Sequence, residues 1–519
     1  MKRNPRTRTT PTCLLAIVMM AMGAAKIGQA AAPALQGQVA IRPLTPQEIK
    51  TYSLTGLQGA DGLANVGLGR PAYLDALVNI AVPAADITNV TWALTYKPIA
   101  STAALQDSPL GADVPPFKMA DRVSLRLAGR ALLRPDVEGQ YTVTATIATA
   151  SSGTTNVSRI ITASTYLGVN KCALCHSGGI GAPNMVEPWS HTPHATFFAK
   201  AIDGKESDRY GKNCISCHTV GYDANTNAVN GGFDDVATLL GWTFPAVVTN
   251  GNWAAMPHAL TNLANIQCEN CHGPGSQHGY ALGATDRITV SYGAGTCGQC
   301  HDSLPHHYRN AEWNASRHAV ATRTPSGPNR NNCVRCHTAG GFVSYLDQSS
   351  VTNTTYEAIT CQACHDPHED SQPSQLRNAL NVTLADGTAV TNAGRGALCM
   401  NCHQSRAGEA NRNVELYSQA KPTWINGVSF GPHDNPAADM LMGVNAITYG
   451  KDIPSSAHRQ VVAEACVTCH MQPVAETDAA FLKAGDHTFR MSYDFVANGT
   501  TNTVEMLGVC TQCHGPIEE

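Results

Sequence analysis

Nine copies of one five-residue string, Cys-x-x-Cys-His, dominate the chemistry this chain could perform. In chain order they are Cys172/Cys175/His176, Cys214/Cys217/His218, Cys268/Cys271/His272, Cys297/Cys300/His301, Cys333/Cys336/His337, Cys361/Cys364/His365, Cys399/Cys402/His403, Cys466/Cys469/His470 and Cys510/Cys513/His514, numbered here one to nine. Two thiols at this spacing can form thioethers with the two vinyl groups of one haem, and the adjacent histidine reaches the iron from one face. Zinc ribbons also use Cys-x-x-Cys pairs, but they have no need of a histidine after every second cysteine. A dithiol redox site meets the same objection. The pattern predicts nine covalently bound c-type haems, with eighteen cysteines as attachment points and the nine motif histidines as proximal ligands.

Eleven histidines lie outside the motifs: His191, His194, His258, His278, His306, His307, His318, His368, His433, His458 and His487. Iron held by imidazole on both faces is low-spin and saturated, which suits electron transfer; an open sixth position suits substrate chemistry. His191/His194 and His306/His307 are close pairs, each expected to supply one ligand. With His194 kept over His191, and the choice between His306 and His307 open, nine distal candidates face nine irons. No residue is assigned a catalytic role.

A repeat supports the selection. Trp189-x-x-Thr192-x-His194-Ala195 matches Trp313-x-x-Ser316-x-His318-Ala319, and each is followed by Asn-Cys-x-x-Cys-His-Thr-x-Gly. A third motif closes each unit, so motifs one to three (about 170–280) and four to six (about 295–370) read as a duplicated three-haem module. Motifs seven to nine (395–519) do not show this template clearly.

Around these motifs the chain divides into three. Residues 1–30 carry Lys2, Arg3, Arg6 and Arg8, an apolar run from Cys13 to about Ala25, and small residues near Ala31, the grammar of a cleaved export signal. Its removal takes Cys13, the one cysteine of 19 outside a motif, and leaves none for a structural disulfide framework. The mature chain is expected in the periplasm or at the cell surface, with no transmembrane segment. Charged residues are 14% of the chain, against about 25% in typical domains, and the net charge is −4, which argues against a nucleic-acid partner.

Residues 31–165 contain no cysteine or histidine. They alternate instead: Val78, Ile80, Val82; Val90, Trp92, Leu94; Val123, Leu125, Leu127; Tyr141, Val143, Ala145, Ile147. Short alternating runs broken by Pro, Gly and Asp predict an all-β sandwich. The string from Pro135 to Val143 resembles the Asp-x-x-Gly-x-Tyr corner of immunoglobulin-like and polycystic-kidney-disease-like domains, which implies that fold, with Trp92 as its core tryptophan. Residues 166–519 form the nine-haem region, mostly short helices and irregular chain, whose interior the haems are expected to fill.

The strings Cys-His-Gly-Pro-Gly-Ser-Gln-His (271–278), Trp-x-x-Ser-Arg-His-Ala (313–319), Cys-Val-Thr-Cys-His-Met (466–471) and Gly-Asp-His-Thr-Phe (485–489) resemble the large multihaem cytochrome c superfamily. That group includes pentahaem nitrite reductases, hydroxylamine oxidoreductases and octahaem tetrathionate reductases. The resemblance implies closely stacked haems passing electrons between neighbours. Departures count against those activities: no motif carries lysine in place of histidine, and no tyrosine or lysine stands in a string that marks a catalytic haem. The first reading is an electron-transfer conduit between redox protein partners or to an extracellular acceptor. The second is a reductase or oxidase of a small nitrogen or sulfur compound at one five-coordinate haem. Low charge and the β region also fit docking into a larger complex or filament.

Overall fold

The computed structural model describes residues 34–117, 125–178, 181–225, 227–281, 283–320, 331–348, 357–384, 387–405, 436–444 and 451–517. The expected leader (1–30), Val123 and His433 lie outside them. An N-terminal β-sheet region is followed by a region of short helices and irregular chain.

The first region has strands β1 (Gly37–Arg42), β2 (Asn65–Gly67), β3 (Ala72–Asn79), β4 (Ile87–Tyr96), β5 (Leu125–Leu133), β6 (Gly139–Thr149) and β7 (Gly153–Ser164). They form a three-stranded sheet, β1-β3-β5, and a four-stranded sheet, β2-β7-β6-β4. Only the short β2 runs parallel to its neighbour. On β6, Tyr141, Val143, Ala145 and Ile147 are fully buried while the threonines between them keep partial contact with solvent, as a sheet with one face in a core requires. They pack with Leu74, Ala76 and Val78 of β3 and Leu133 of β5, so the core lies between the sheets. Each such aliphatic side chain contributes about 1.5–3 kcal/mol. At the Pro135–Tyr141 corner the Tyr141 hydroxyl donates to the Val137 carbonyl at 2.9 Å and accepts from the Val137 N–H at 3.1 Å.

Two expectations fail in detail. Val78, Ile80 and Val82 do not share one strand face. β3 ends at Asn79, Ile80 is 48% exposed in the turn, and Ala72 to Val78 are all buried. The outer face of β3 is buried because Leu44, Leu110 and Val114 cover it, together with Ile49 of the helix Pro46–Thr51. Trp92 stands at the margin of the core, because β4 is an edge strand.

Among the described residues of the second region no helix exceeds the ten residues of Pro193–Ile202. The long stretch between motifs two and three builds an aromatic cluster of its own, with Phe198, Phe233 and Leu260 fully buried beside Tyr210, Trp242 and Trp253. The other clusters of this region are smaller and rich in alanine. Strands β8 (Ser492–Ala497) and β9 (Thr500–Glu505) make a hairpin before the last motif. No described helix is long and apolar enough to cross a membrane.

The β region is fastened to motifs three and four. Thr45 donates its hydroxyl to Asp302 at 2.7 Å, and the Thr289 hydroxyl donates to Asn65 at 2.6 Å. Gly273, at φ +77°, lies where any Cβ would stand 2.6 Å from that of Asn65. This accounts for the glycine after the third motif's histidine.

Candidate haem-binding site

Each motif lies on a short helical turn, as in Val169–His176, Cys268–His272, Gly295–His301, Cys466–His470 and Gly508–His514. Residues i, i+3 and i+4 share one face of a helix, so one turn presents both sulfurs and the imidazole to the same side. None of the eighteen cysteines is in a disulfide. Among the described residues no three His, Cys, Asp or Glu side chains converge as a bare metal ion would need, which a zinc reading requires.

The sulfurs do not all sit inside, as an interior filled by haem leads one to expect. Cys513 of motif nine is exposed, whereas the other seventeen motif cysteines are half-buried. Its helix, Gly508–His514, is the last described element, and only residues 515–517 of the described chain follow it. Cys175 of motif one is half-buried beside Leu174, which is 66% exposed, so its sulfur also stands near solvent. Motifs one and nine are the first and last of the row, and a unit at the end of a row has a neighbour on one side only.

The histidines do converge, in pairs. An imidazole nitrogen binds a transition metal at about 2.0–2.1 Å and lies about 1.1 Å from its ring centre, so two imidazoles on opposite faces of one metal stand roughly 6.2 Å apart. His218 faces His307 at 6.3 Å and His272 faces His368 at 6.0 Å. His301 faces His194 at 6.3 Å, and His403 faces His318 at 6.0 Å. His365 faces His487 at 6.2 Å, and His514 faces His458 at 5.9 Å. His301 also lies 6.0 Å from His307, but His307 is the only non-motif ring facing His218 among the described residues, so one ligand each gives the pairs above. A gap of this width between facing rings is the space an iron with two axial imidazoles takes up, and the residues fit the group.

Six of the nine expected pairs thus lie among the described residues, at motifs two, three, four, six, seven and nine. The proximal roles of His176, His337 and His470 rest on their places in the motif. His337 ends the helix Asn331–His337, is half-buried and makes contacts of its own. The expected candidate His433 lies outside the described residues.

Hydrogen bonds hold the rings with one nitrogen free. His272 Nδ1 meets the Thr289 carbonyl at 2.7 Å, His365 the Ser374 carbonyl at 2.9 Å and His470 the Phe489 carbonyl at 3.1 Å. His218 is different, with Nδ1 on the Tyr210 hydroxyl at 3.1 Å. Among the facing partners, His368 Nδ1 meets Asp366 at 3.0 Å, His458 the Ser456 hydroxyl at 3.0 Å, and His487 lies 3.5 Å from the buried carboxylate of Glu312. Tying Nδ1 in this way fixes the tautomer in which Nε2 is free to ligate. Arg377 and Arg309 in turn hold Asp366 and Glu312, at 2.8 and 2.9 Å. Burial, with a smaller push from neighbouring histidines, takes His218 and His318 down to about 4. They are neutral at pH 7, the form a metal binds.

The remaining candidates are placed differently. His191 is exposed and bonded to Glu187 at 3.0 Å. His306 and His258 are exposed, and His278 bonds its Nδ1 to the Ala284 carbonyl at 3.1 Å. None of these four faces a motif histidine at metal spacing among the described residues. Between the adjacent histidines, His307 is the one turned toward His218. The two matched tryptophans act alike: Trp189 donates its indole N–H to the Ile266 carbonyl at 3.2 Å, and Trp313 to that of Ile359 at 2.8 Å. Each anchors the histidine-bearing segment to the chain entering a third motif. The orienting carbonyls of Thr289, Ser374 and Phe489 leave no sequence signal, because any residue supplies a carbonyl. Asp366, two residues before His368, is the one orienting group whose spacing could have been read.

A family model described as a doubled CXXCH motif matches residues 355–408. The chain is 23% identical over 237 residues to the multiheme cytochrome MtrA of Shewanella baltica, covering 41% of this chain and 59% of that protein. It is 24% identical over 245 residues to the C-type polyheme cytochrome OmcB of Geobacter sulfurreducens, covering 41% of this chain and 32% of that one. The match thus spans less than two thirds of either relative. Doubled motif and relatives together group this chain, at low identity, with the multihaem c-type cytochromes.

Proposed function

We propose that the chain is an exported nine-haem c-type cytochrome that relays electrons between redox protein partners or to an extracellular acceptor. The observation that carries this reading is the set of six facing histidine pairs at 5.9–6.3 Å. In each, a motif histidine and a histidine from elsewhere occupy both axial positions and leave no room for a substrate.

Bound haem supplies reversible one-electron iron chemistry. The cysteines named above hold the group, and the paired imidazoles close both faces to small molecules. The Nδ1 partners set how basic each ligand is: a carboxylate behind an imidazole raises basicity and favours the oxidised metal more than a hydroxyl does. By this reasoning Asp366 and Glu312 lower the potentials of the sites at His272 and His365, while Tyr210 leaves the site at His218 higher. His433 is retained as a ligand candidate because it follows motif seven much as His307 follows motif four. Residues 31–165 are assigned a bracing role against motifs three and four, and residues 1–30 the export signal.

The test is turnover. Reduced holoprotein mixed with nitrite, hydroxylamine or tetrathionate should show no catalytic consumption, while reoxidation by a redox protein or a soluble ferric acceptor is complete. Sustained consumption of one of the small compounds defeats the relay reading in favour of a reductase.

A further inference from the structure

The contacts between motifs obey a rule that the spacing of the motifs along the chain does not suggest. Within a unit the first motif touches the third. Glu269, inside motif three, accepts from the Gly168 N–H at 2.8 Å, and Gln267 from that of Val169 at 2.8 Å, at the start of the helix carrying motif one. The next unit repeats the arrangement: Thr360 donates to the Tyr292 carbonyl at 2.6 Å and Gln362 to that of Gly293 at 3.3 Å. The third motif meets the first of the following unit, with Gln299 donating to the Asn270 carbonyl at 2.8 Å, and Leu398 and Cys402 packed with Ala363 and Cys364. Each middle motif touches the first motif of the following unit. Cys300 Sγ lies 3.8 Å from the Cys217 carbonyl oxygen, and Cys402 Sγ 3.8 Å from that of Arg335.

Motifs seven to nine continue the rule with the middle position missing. Arg395, before motif seven, donates its N–H to Glu464, before motif eight, at 2.8 Å, so eight is a third motif. Val509, in motif nine, donates to Gln472, after motif eight, at 3.2 Å, so nine is the first motif of a new unit.

The facing rings follow the same rule. His194, His318 and His458 each face the first motif of the unit after their own, at His301, His403 and His514. His368 and His487 each face the third motif of the unit before, both at 26° between ring planes. His307 faces the middle motif of the unit before. Not one of the six pairs joins two histidines of the same unit.

We infer that every paired site is shared between consecutive units, with sites one, three, four, six, seven, eight and nine in a single line and sites two and five standing to its side at sites four and seven. The inference rests on the nine-haem reading proposed above. It makes the chain a one-dimensional repeat in which a unit alone completes none of its paired sites, so the units mature together.

Locating the irons of the full-length holoprotein by cryo-electron microscopy tests it. The iron of site two should lie nearest that of site four, and that of site five nearest site seven, with His194 and His318 bound to the irons of sites four and seven. A site-two iron nearest site one or three, or His194 bound within its own unit, overturns the inference. Fewer than nine haems in the map would instead defeat the nine-haem reading, while the neighbour relations among those present would still decide the order.

Discussion

Replacing His318 with alanine is the sharpest perturbation the facing rings offer. His318 stands 6.0 Å from His403 and packs edge-on against Phe489 at 4.7 Å. Removing its ring takes one axial ligand from one iron, so one ninth of the haem iron should become high-spin and bind cyanide or carbon monoxide at one per molecule. The void left by a half-buried ring adds a packing loss of about 2–4 kcal/mol, toward the low end of large-to-alanine changes. A methionine at the same position keeps six ligands and moves that site's potential upward. Electron paramagnetic resonance of the oxidised variant, with a cyanide titration, reads the outcome. His191→Ala is the control, since that ring is exposed and paired with Glu187, and it should leave the spectrum unchanged. A His318→Ala protein with no high-spin iron, or a His191→Ala protein with some, would refute the ligand assignment.

Other outcomes follow from the same contacts. Glu312→Gln removes the carboxylate behind His487 while keeping its shape, and a redox titration should show one site shifted upward; an unchanged titration curve would deny it an orienting role. Trp313→Ala, at a position 4% exposed, should cost about 3–5 kcal/mol, read as a fall in the denaturant midpoint, whereas Trp313→Phe should keep most of the packing and lose the bond to Ile359. Tyr141→Phe deletes the hydroxyl that bridges Val137 N–H and carbonyl, an expected loss of about 1–3 kcal/mol; a midpoint equal to the parent's would show that the corner bonds contribute nothing. Acidification should destabilise. His218 and His318 titrate at about 4 in the folded chain against about 6.5 when unfolded. Between those values the unfolded chain binds more protons, so stability is full above pH 6.5 and falls as pH drops toward 4. A denaturant midpoint that rises on acidification through that window would contradict this.

The attachment chemistry is legible from spacing alone, because both thiols and one ligand sit within five residues. How deep each sulfur lies is not, since Cys175 and Cys513 have the same spacing as the rest and their exposure follows from position in the row. Facing rings from distant segments are legible only as a count. His194 could be preferred over His191 from the repeat, but nothing in the string Trp189–Ala195 says that His194 turns toward His301, some hundred residues on. That choice belongs to the packing of one unit on the next. His306 and His307 are adjacent, and only the local backbone decides which ring turns toward His218. The template in motifs seven to nine is obscured because the middle motif is missing and the spacings change, while the contacts at Glu464 and Gln472 preserve it. In the β region, alternation was readable on β6, which has one face in the core. It failed on β3, whose second face is covered by a loop and a helix lying elsewhere in the sequence.

The central claim, nine haems each closed on both faces, is tested most directly by spin-quantified electron paramagnetic resonance of the oxidised holoprotein, normalised to haem by the pyridine haemochrome. The account predicts nine haems per chain, one for each motif, all low-spin, with no signal from high-spin ferric iron. A haem count below nine, or a high-spin signal equal to one or more irons per chain, would contradict it.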